Sequence, residues 1–320
     1  MRLLPLIVTL PLLWSCSGAD NSETISPEQT SGTFSLRATG DIQTPEPMVK
    51  AAFLPNPVSG TGTDFSLNLP GQIILLSASG DIWQTTTEGE DPLLVSKGEF
   101  IDIYGYSGDG HNRAVLALSK SGSVSAFQKA NDDEAFTRLT VSHGGENIRA
   151  FCDGGNWLAG TDGKLYTLDV TITDNVVAEI QTDPITVKTA NIEACRAGGA
   201  TGLLARTQKR GTARWQKLSN GKWSALAPAK GFARITPVQE NVFLGLATET
   251  GTPVIIRDKT ASNLKIEDGL SIRGLNRAAF VTAIHAPMGT AFSNGLILLA
   301  DKDEPRLVMI SMEYAKRELG

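Results

Sequence analysis

The sequence predicts an all-β protein, a six-bladed β-propeller whose last blade is closed by an N-terminal strand. Three observations lead there. Six segments share one grammar, an apolar β-rich run, a tight turn and a second β-rich run: GQIILLSASGDIWQ, AVLALSKSGSVSAF, NWLAGTDGKLYTLD, GLLARTQKRGTARWQKL, VFLGLATETGTPVIIR and GLILLADKDEPRLVMIS. Each reads as a β-hairpin by composition and turn chemistry. Glycines mark five of the turns, Gly80, Gly122, Gly163, Gly211 and Gly251, spaced 42, 41, 48 and 40 residues apart, and the sixth turn, Asp303-Glu304-Pro305, follows 52 residues later. A period near forty residues suits one four-stranded blade per repeat. Strand candidates flank every hairpin except at the C-terminal end, where the outer one is missing. A seven-bladed ring and a pair of β-sandwiches are the alternatives that use the same hairpins.

In chain order, the first element is MRLLPLIVTLPLLWSC, with Arg2 ahead of an apolar stretch from Leu3 to Trp14. That stretch is too short to span a bilayer and reads as a secretory signal over residues 1–15. Its end, Leu13-Trp14-Ser15-Cys16, resembles the lipobox of bacterial lipoproteins, which implies acylation of Cys16 and a stable membrane anchor without a transmembrane helix. Trp14 stands where that motif has a small residue, and a signal cleaved elsewhere is the alternative. Ser17 after the cysteine implies the outer membrane, facing the periplasm or the exterior. Residues 16–33 are polar and aperiodic, a flexible tether, and the folded unit is expected over 34–320.

Within the folded unit, inner strands are expected at PMVKAAFL, FIDIYGY, NIRAFCD, NIEACRA, FARITPV and AAFVTAI, and outer strands at PLLVS, FTRLTVS, VVAEIQT, WSALAP and NLKIED. After the sixth hairpin the chain carries only a short EYAKREL tail. A spare strand, Thr33 to Thr39, precedes the first inner strand and is placed beside the last hairpin, where it would remove an open sheet edge.

Composition limits the function. A chain that is 41% hydrophobic and 20% charged has ample material for a core, which excludes disorder over most of its length. With 29 basic and 34 acidic residues the net charge is −5, without the basic excess that binding to a phosphate backbone requires, so nucleic acid is excluded as a partner. His111, His143 and His285 lie in different repeats without ligand spacing, and no nucleophile-elbow, Cys-x-x-Cys or phosphate-loop motif occurs. Asp162-Gly163 and Asp301-x-Asp303 read as turn chemistry rather than calcium loops. Trp83, Trp157, Trp215 and Trp223 read as packing between blades.

The residues to inspect lie where inner strands face the axis. In rough register these are Lys50, Asp102, Arg149, Glu193, Arg234 and Thr282, a ring of mixed charge. One reading has the charges neutralise one another in a watery channel. The other has Lys50, Arg149 and Arg234 bind an anionic ligand, because guanidinium forks match carboxylate and phosphate geometry. A one-residue slip reverses the face of a strand. Cys152 and Cys195 fall on neighbouring inner strands, where they form either a disulfide or two buried thiols.

Six repeats, the strand FIDIYGY, the paired FCD and EACRA strands and the closing GTAFSNGLILLADKDEPRLVMISMEY resemble the β-propeller phytases, over residues 34 to 318. The resemblance implies a six-bladed, exported protein that hydrolyses inositol phosphates with calcium ions held over the channel by carboxylates. Asp102 and Glu193 stand at two of those acidic positions. Elsewhere the acids are replaced: Val49 to Phe53 reads Val-Lys-Ala-Ala-Phe, the fourth hairpin carries Thr207-Gln208-Lys209, and later strands carry Ala233-Arg234-Ile235 and Phe280-Val281-Thr282. Calcium beside Lys50 and Arg234 is electrostatically unfavourable. The expected protein is therefore a lipid-anchored envelope propeller without catalytic residues, metal or cofactor, which binds an anionic small ligand or an envelope protein. The alternative is a divergent phytase or phosphomonoesterase that uses calcium.

Overall fold

The computed structural model describes residues 34–56, 69–107, 113–129, 135–143, 147–174, 176–185, 192–197, 202–209, 212–219, 222–226, 231–257 and 260–320. The signal, Cys16, the tether, Gly211 and His111 lie outside the described residues.

Two short strands come first, β1 (Phe34–Arg37) and β2 (Gly40–Gln43). Then follow β3 (Met48–Leu54), β4 (Gln72–Ser77), β5 (Ile82–Thr86) and β6 (Leu93–Ser96). The next four are β7 (Phe100–Ser107), β8 (Arg113–Ser119), β9 (Val124–Gln128) and β10 (Thr137–His143). After them run β11 (Ile148–Phe151), β12 (Trp157–Gly160), β13 (Leu165–Thr173) and β14 (Val177–Pro184). They are succeeded by β15 (Ile192–Ala197), β16 (Leu203–Lys209), β17 (Thr212–Ser219) and β18 (Lys222–Ala225). The chain continues through β19 (Phe232–Gln239), β20 (Val242–Ala247), β21 (Pro253–Arg257) and β22 (Thr260–Glu267). Last come β23 (Ala278–Ile284), β24 (Leu296–Asp301), β25 (Arg306–Ser311) and a helix, α1 (Met312–Leu319).

Burial explains the composition of these strands. The second strand of a group is covered by neighbours on both faces, so it reads as one continuous apolar run: QIILLS in β4 and LILLAD in β24 are buried throughout. The last strand of a group has a wet face, as in LLVS of β6, where both leucines are exposed. The turn glycines Gly80, Gly122, Gly163 and Gly251 take φ of 91, 84, 77 and 76°, the left-handed region that a two-strand reversal needs and side chains resist.

The sheets are arranged as a β-propeller. Among the described residues hydrogen bonding divides the strands into five sheets rather than six separate ones: β3 to β6, β15 to β18, β2-β25-β24-β23, β1-β22-β21-β20-β19, and an eight-stranded sheet. The eight-stranded sheet arises because β10 and β14 pair in parallel at their outer edges, joining the group β7 to β10 to the group β11 to β14. The innermost strands lie side by side in the order β19, β23, β3, β7, β11, β15. Gly105 allows the close approach of β7 to β3, since a Cβ there would sit 2.4 Å from the Phe53 carbonyl oxygen.

The N-terminal segment corrects the sequence expectation. The strand Phe34–Arg37, drawn from Thr33 to Thr39, does not lie beside the last hairpin; it pairs in parallel with β22. The strand beside β25 is Gly40–Gln43, antiparallel, with Ile42 opposite Leu307. The chain crosses between the two sheets at a single step, where the Ala38 amide donates to the Glu267 carbonyl and the Thr39 amide to the Met309 carbonyl. Both sheets present an apolar edge here, and a two-residue step lets one segment cover each in turn. The EYAKREL tail belongs to α1, whose Met312, Ala315 and Leu319 pack on the apolar cluster containing Leu36, Val308 and Ile310.

Candidate functional site

Every innermost strand carries a bulge near its start. Register slips between Met48 and Lys50, Phe100 and Asp102, Ile148 and Ala150, Ile192 and Ala194, Phe232 and Arg234, and Ala278 and Phe280. The residue before each bulge is buried, and the inserted residue turns away from the ladder. Val49 and Ile101 are inserted residues and are exposed. So are Arg149, which is exposed, and Glu193, which is partly covered and pairs with Arg206 at 3.4 Å.

This corrects the expected ring. Lys50, Asp102 and Arg234 each follow a bulge and share one register, whereas Arg149 and Glu193 sit one residue earlier and face elsewhere. Aligning the strands on the buried residue before the bulge, Met48, Phe100, Ile148, Ile192, Phe232 and Ala278, would have revealed the offset. Two residues that sequence reasoning passed over take the vacated places, Asp153 and Arg196.

The resulting cluster is buried and highly connected. Lys50 is 7% exposed and its Nζ contacts Asp102 Oδ1 and, at 2.7 Å, Asp153 Oδ1. Asp102 also accepts from the backbone amides of Ile103 at 2.9 Å and Phe151 at 2.7 Å, which ties β7 to the end of β11. Arg196, 3% exposed, donates from Nη2 to Thr282 Oγ1 and lies 3.8 Å from Asp153 Oδ2. Its Nη1 is buried without a hydrogen-bond partner. Arg234 lies close enough to act electrostatically on Lys50, Asp153 and Arg196.

Three cations and two carboxylates therefore meet, an excess of one positive charge. Burial alone would lower the Lys50 ammonium, but Asp102 and Asp153 outweigh it against the opposing Arg234 and raise it above its ordinary value. Burial would raise the Asp153 carboxyl, but Lys50, Arg196 and Arg234 hold it below the usual carboxylate range. Burial holds the Arg196 guanidinium below its usual value, Asp153 opposing and Arg234 adding to the effect.

A disulfide between Cys152 and Cys195, with Cα atoms 4.5 Å apart, positions the new members. Beside it Asp153 forms a parallel bridge with Arg196: the Asp153 amide donates to the Cys195 carbonyl at 3.1 Å and the Ala197 amide to the Asp153 carbonyl at 2.8 Å. Adjacent inner strands approach closely enough for the bond where β11 ends at Phe151 and Asp153 then pairs with Arg196 of β15.

Above the cluster opens a cavity of about 370 Å³. Arg196, Asp153 and Thr282 form part of its lining, with apolar walls that include Ala52, Phe53, Ile103 and Ile284. Its rim carries Tyr104, whose hydroxyl donates to Asn156 Oδ1 at 2.7 Å, and His285. Burial raises the Tyr104 phenol above its ordinary value. Partial desolvation, with Lys316 and Arg196 nearby, lowers the His285 imidazole despite a favourable contact with the Pro237 backbone.

The other sequence candidates serve structure. Asp162 accepts from the Lys164 amide and the Tyr166 hydroxyl, and Asp301 from the Asp303 amide and the Arg306 guanidinium, so both close turns. Trp215 is buried and its Nε1 donates to the Phe232 carbonyl at 3.1 Å, joining two sheets. Among the described residues no group of three or more His, Cys, Asp or Glu is placed to hold a metal. Asp102 and Asp153 are both engaged by Lys50 and Glu193 by Arg206, so these residues do not fit a calcium centre.

The chain matches no protein-family model, and the search of curated proteins finds no match. Among solved structures it is similar to YCF48 bound to a D1 peptide, at 9% identity and a TM-score of 0.45, covering 85% of this chain and 96% of that one. It is similar to AofleA from Arthrobotrys oligospora at 11% identity and a TM-score of 0.46, covering 82% and 83%. A third is the β-propeller domain of Cps50 (Swd1) from Myceliophteria thermophila, at 9% identity and a TM-score of 0.40, covering 75% and 80%. The strand pairings, and not these likenesses, define the site.

Proposed function

We propose that this protein is a six-bladed propeller, anchored in the bacterial outer membrane through a lipid on Cys16, that binds an anionic small ligand in its axial cavity and performs no chemistry on it. The observation that carries the binding reading is Arg196 in the cavity wall, part of a buried cluster with one more cation than carboxylates. A buried excess of positive charge is costly, and an incoming anion neutralises it.

Six blades are supported by the apolar clusters. Among the described residues six occur, each lying between consecutive strand groups: β3–β5 with β7–β9, β7–β10 with β11–β14, β12–β13 with β15–β16, β16–β17 with β19–β22, β19–β22 with β23–β25, and β23–β25 with β3–β4. The last interface returns to the first group, and the pairing of β2 with β25 supports closure by the N-terminal segment. The non-catalytic reading is supported by the engagement of both axial carboxylates with Lys50. The lipobox-like Leu13-Trp14-Ser15-Cys16 supports the anchor.

Two measurements on the full-length chain test this. Phytate and a generic phosphate monoester are expected to release no phosphate with calcium or with chelator; calcium-dependent release would reinstate the phosphomonoesterase. Mass spectrometry of the N-terminal peptide is expected to find acylated Cys16 as the first residue, and an unmodified thiol or a different cleavage site removes the anchor.

A further inference from the structure

We infer that the cavity selects a monoanion with an apolar body, a small organic carboxylate, and that Arg196 is its anchor. This rests on the binding reading above and narrows it to one ligand class. Charge is the first argument. The cluster carries one positive charge beyond what its own carboxylates neutralise, from Lys50, Arg196 and Arg234 against Asp102 and Asp153. One negative charge completes it. A phosphate ester brings about −1.5 to −2 at pH 7, and an inositol polyphosphate several times more, so either leaves negative charge buried without a partner.

The guanidinium is the second. Arg196 lines the cavity and is held there by Thr282 and the Asp153 side through Nη2. A carboxylate against a guanidinium forms a charge-assisted hydrogen bond, stronger than a neutral acceptor would make. The walls are the third argument. Ala51, Ala52, Phe53, Ile103, Ala283 and Ile284 offer no charged group to a second anionic centre and suit an alkyl or aryl body. At about 370 Å³ the space falls at the small end of the roughly 300–1,000 Å³ range of ligand pockets.

The test is calorimetric titration of the full-length chain in non-ionic detergent with benzoate, benzamide, inorganic phosphate and inositol hexakisphosphate. Benzoate is expected to bind, and its neutral isostere benzamide to bind at least about tenfold more weakly. Arg196→Gln is expected to weaken benzoate on the order of 10- to 100-fold. Ala286→Phe, at the rim, fills the cavity without touching the charge cluster and is expected to block benzoate in a protein of unchanged thermal stability. It decides the matter if Arg196→Gln does not fold. Benzoate binding that survives Ala286→Phe, or folded Arg196→Gln with wild-type affinity, overturns the assignment. Tighter binding of phosphate or inositol hexakisphosphate than of benzoate overturns the monoanion class and leaves ligand binding standing. No binding of any of these anions overturns both.

Discussion

Lys50→Ala is expected to cost about 3–5 kcal/mol of folding stability, the largest loss of any single side chain at the site. The amine is buried and holds two carboxylates, Asp102 and Asp153, that come from different strand groups. Removing it leaves Asp102 buried without a cation beside it and Asp153 with only Arg196 and Arg234 to offset its charge. Arg196 remains 3.8 Å from Asp153 but does not reach Asp102 by any direct contact, and Asp102 keeps only its two backbone amides. Lys50→Met, which preserves the buried stem, is expected to be nearly as damaging, showing that the loss is one of charge and not of volume. Adding Asp102→Asn and Asp153→Asn to Lys50→Met is expected to recover a large part of the stability, because neutral amides cost less to bury than unpaired carboxylates. Urea titrations of the four proteins measure this, and a midpoint for Lys50→Ala equal to wild type would remove the cluster from the structural account.

The same groups fix a pH dependence. Asp153 titrates below its ordinary 3.8 in the folded chain, so its contribution is complete above that value and is lost as pH falls through the folded value. Lys50 titrates above its ordinary 10.5, so its contribution is complete below that value and is lost as pH rises through the folded value. Between these limits the contributions of Asp153 and Lys50 are constant. Asp153→Asn is expected to flatten the acid side of the stability profile and to reduce the alkaline loss, because Asp153 is one of the two carboxylates that raise Lys50.

The second large effect belongs to Cys152 and Cys195. Their bond closes a loop across a sequence separation of 43 residues, and on the chain-entropy estimate contributes about 4 kcal/mol. The double variant Cys152→Ser/Cys195→Ser is expected to unfold at a lower urea concentration than wild type under oxidising conditions. In reductant the difference should shrink to what burying two hydroxyls in an apolar cluster costs. An undiminished difference in reductant would mean that the cysteines act only through packing. The bond also holds the end of β11 against β15, where Asp153 meets Arg196. Stability and the geometry of the site thus depend on one covalent link.

The elements of the fold were legible in the sequence because their signals are local. Turn glycines at positive φ, continuous apolar runs for doubly covered strands, and a repeat near forty residues all act within a single hairpin. The cysteine pair was legible as one of two alternatives. Of the six inner-strand positions expected, Lys50, Asp102, Arg234 and Thr282 lie at the cluster, Arg149 and Glu193 face elsewhere, and Asp153 and Arg196 were passed over. A bulge leaves no mark in composition, yet each one reverses the facing of every residue after it.

By itself the sequence determined that this chain is a series of short antiparallel hairpins, where the strands of those hairpins run, and that its inner strands carry both signs of charge. Only the tertiary structure decided which charges meet. Lys50 finds Asp102 across 52 residues and Arg196 finds Thr282 across 86, and the same Leu36-containing segment that extends one sheet hands the chain to another. Such contacts depend on the stagger of the bulged innermost strands and on which open edge lies nearest. Those are properties of the assembled propeller, whereas period and turn chemistry are properties of neighbours along the chain.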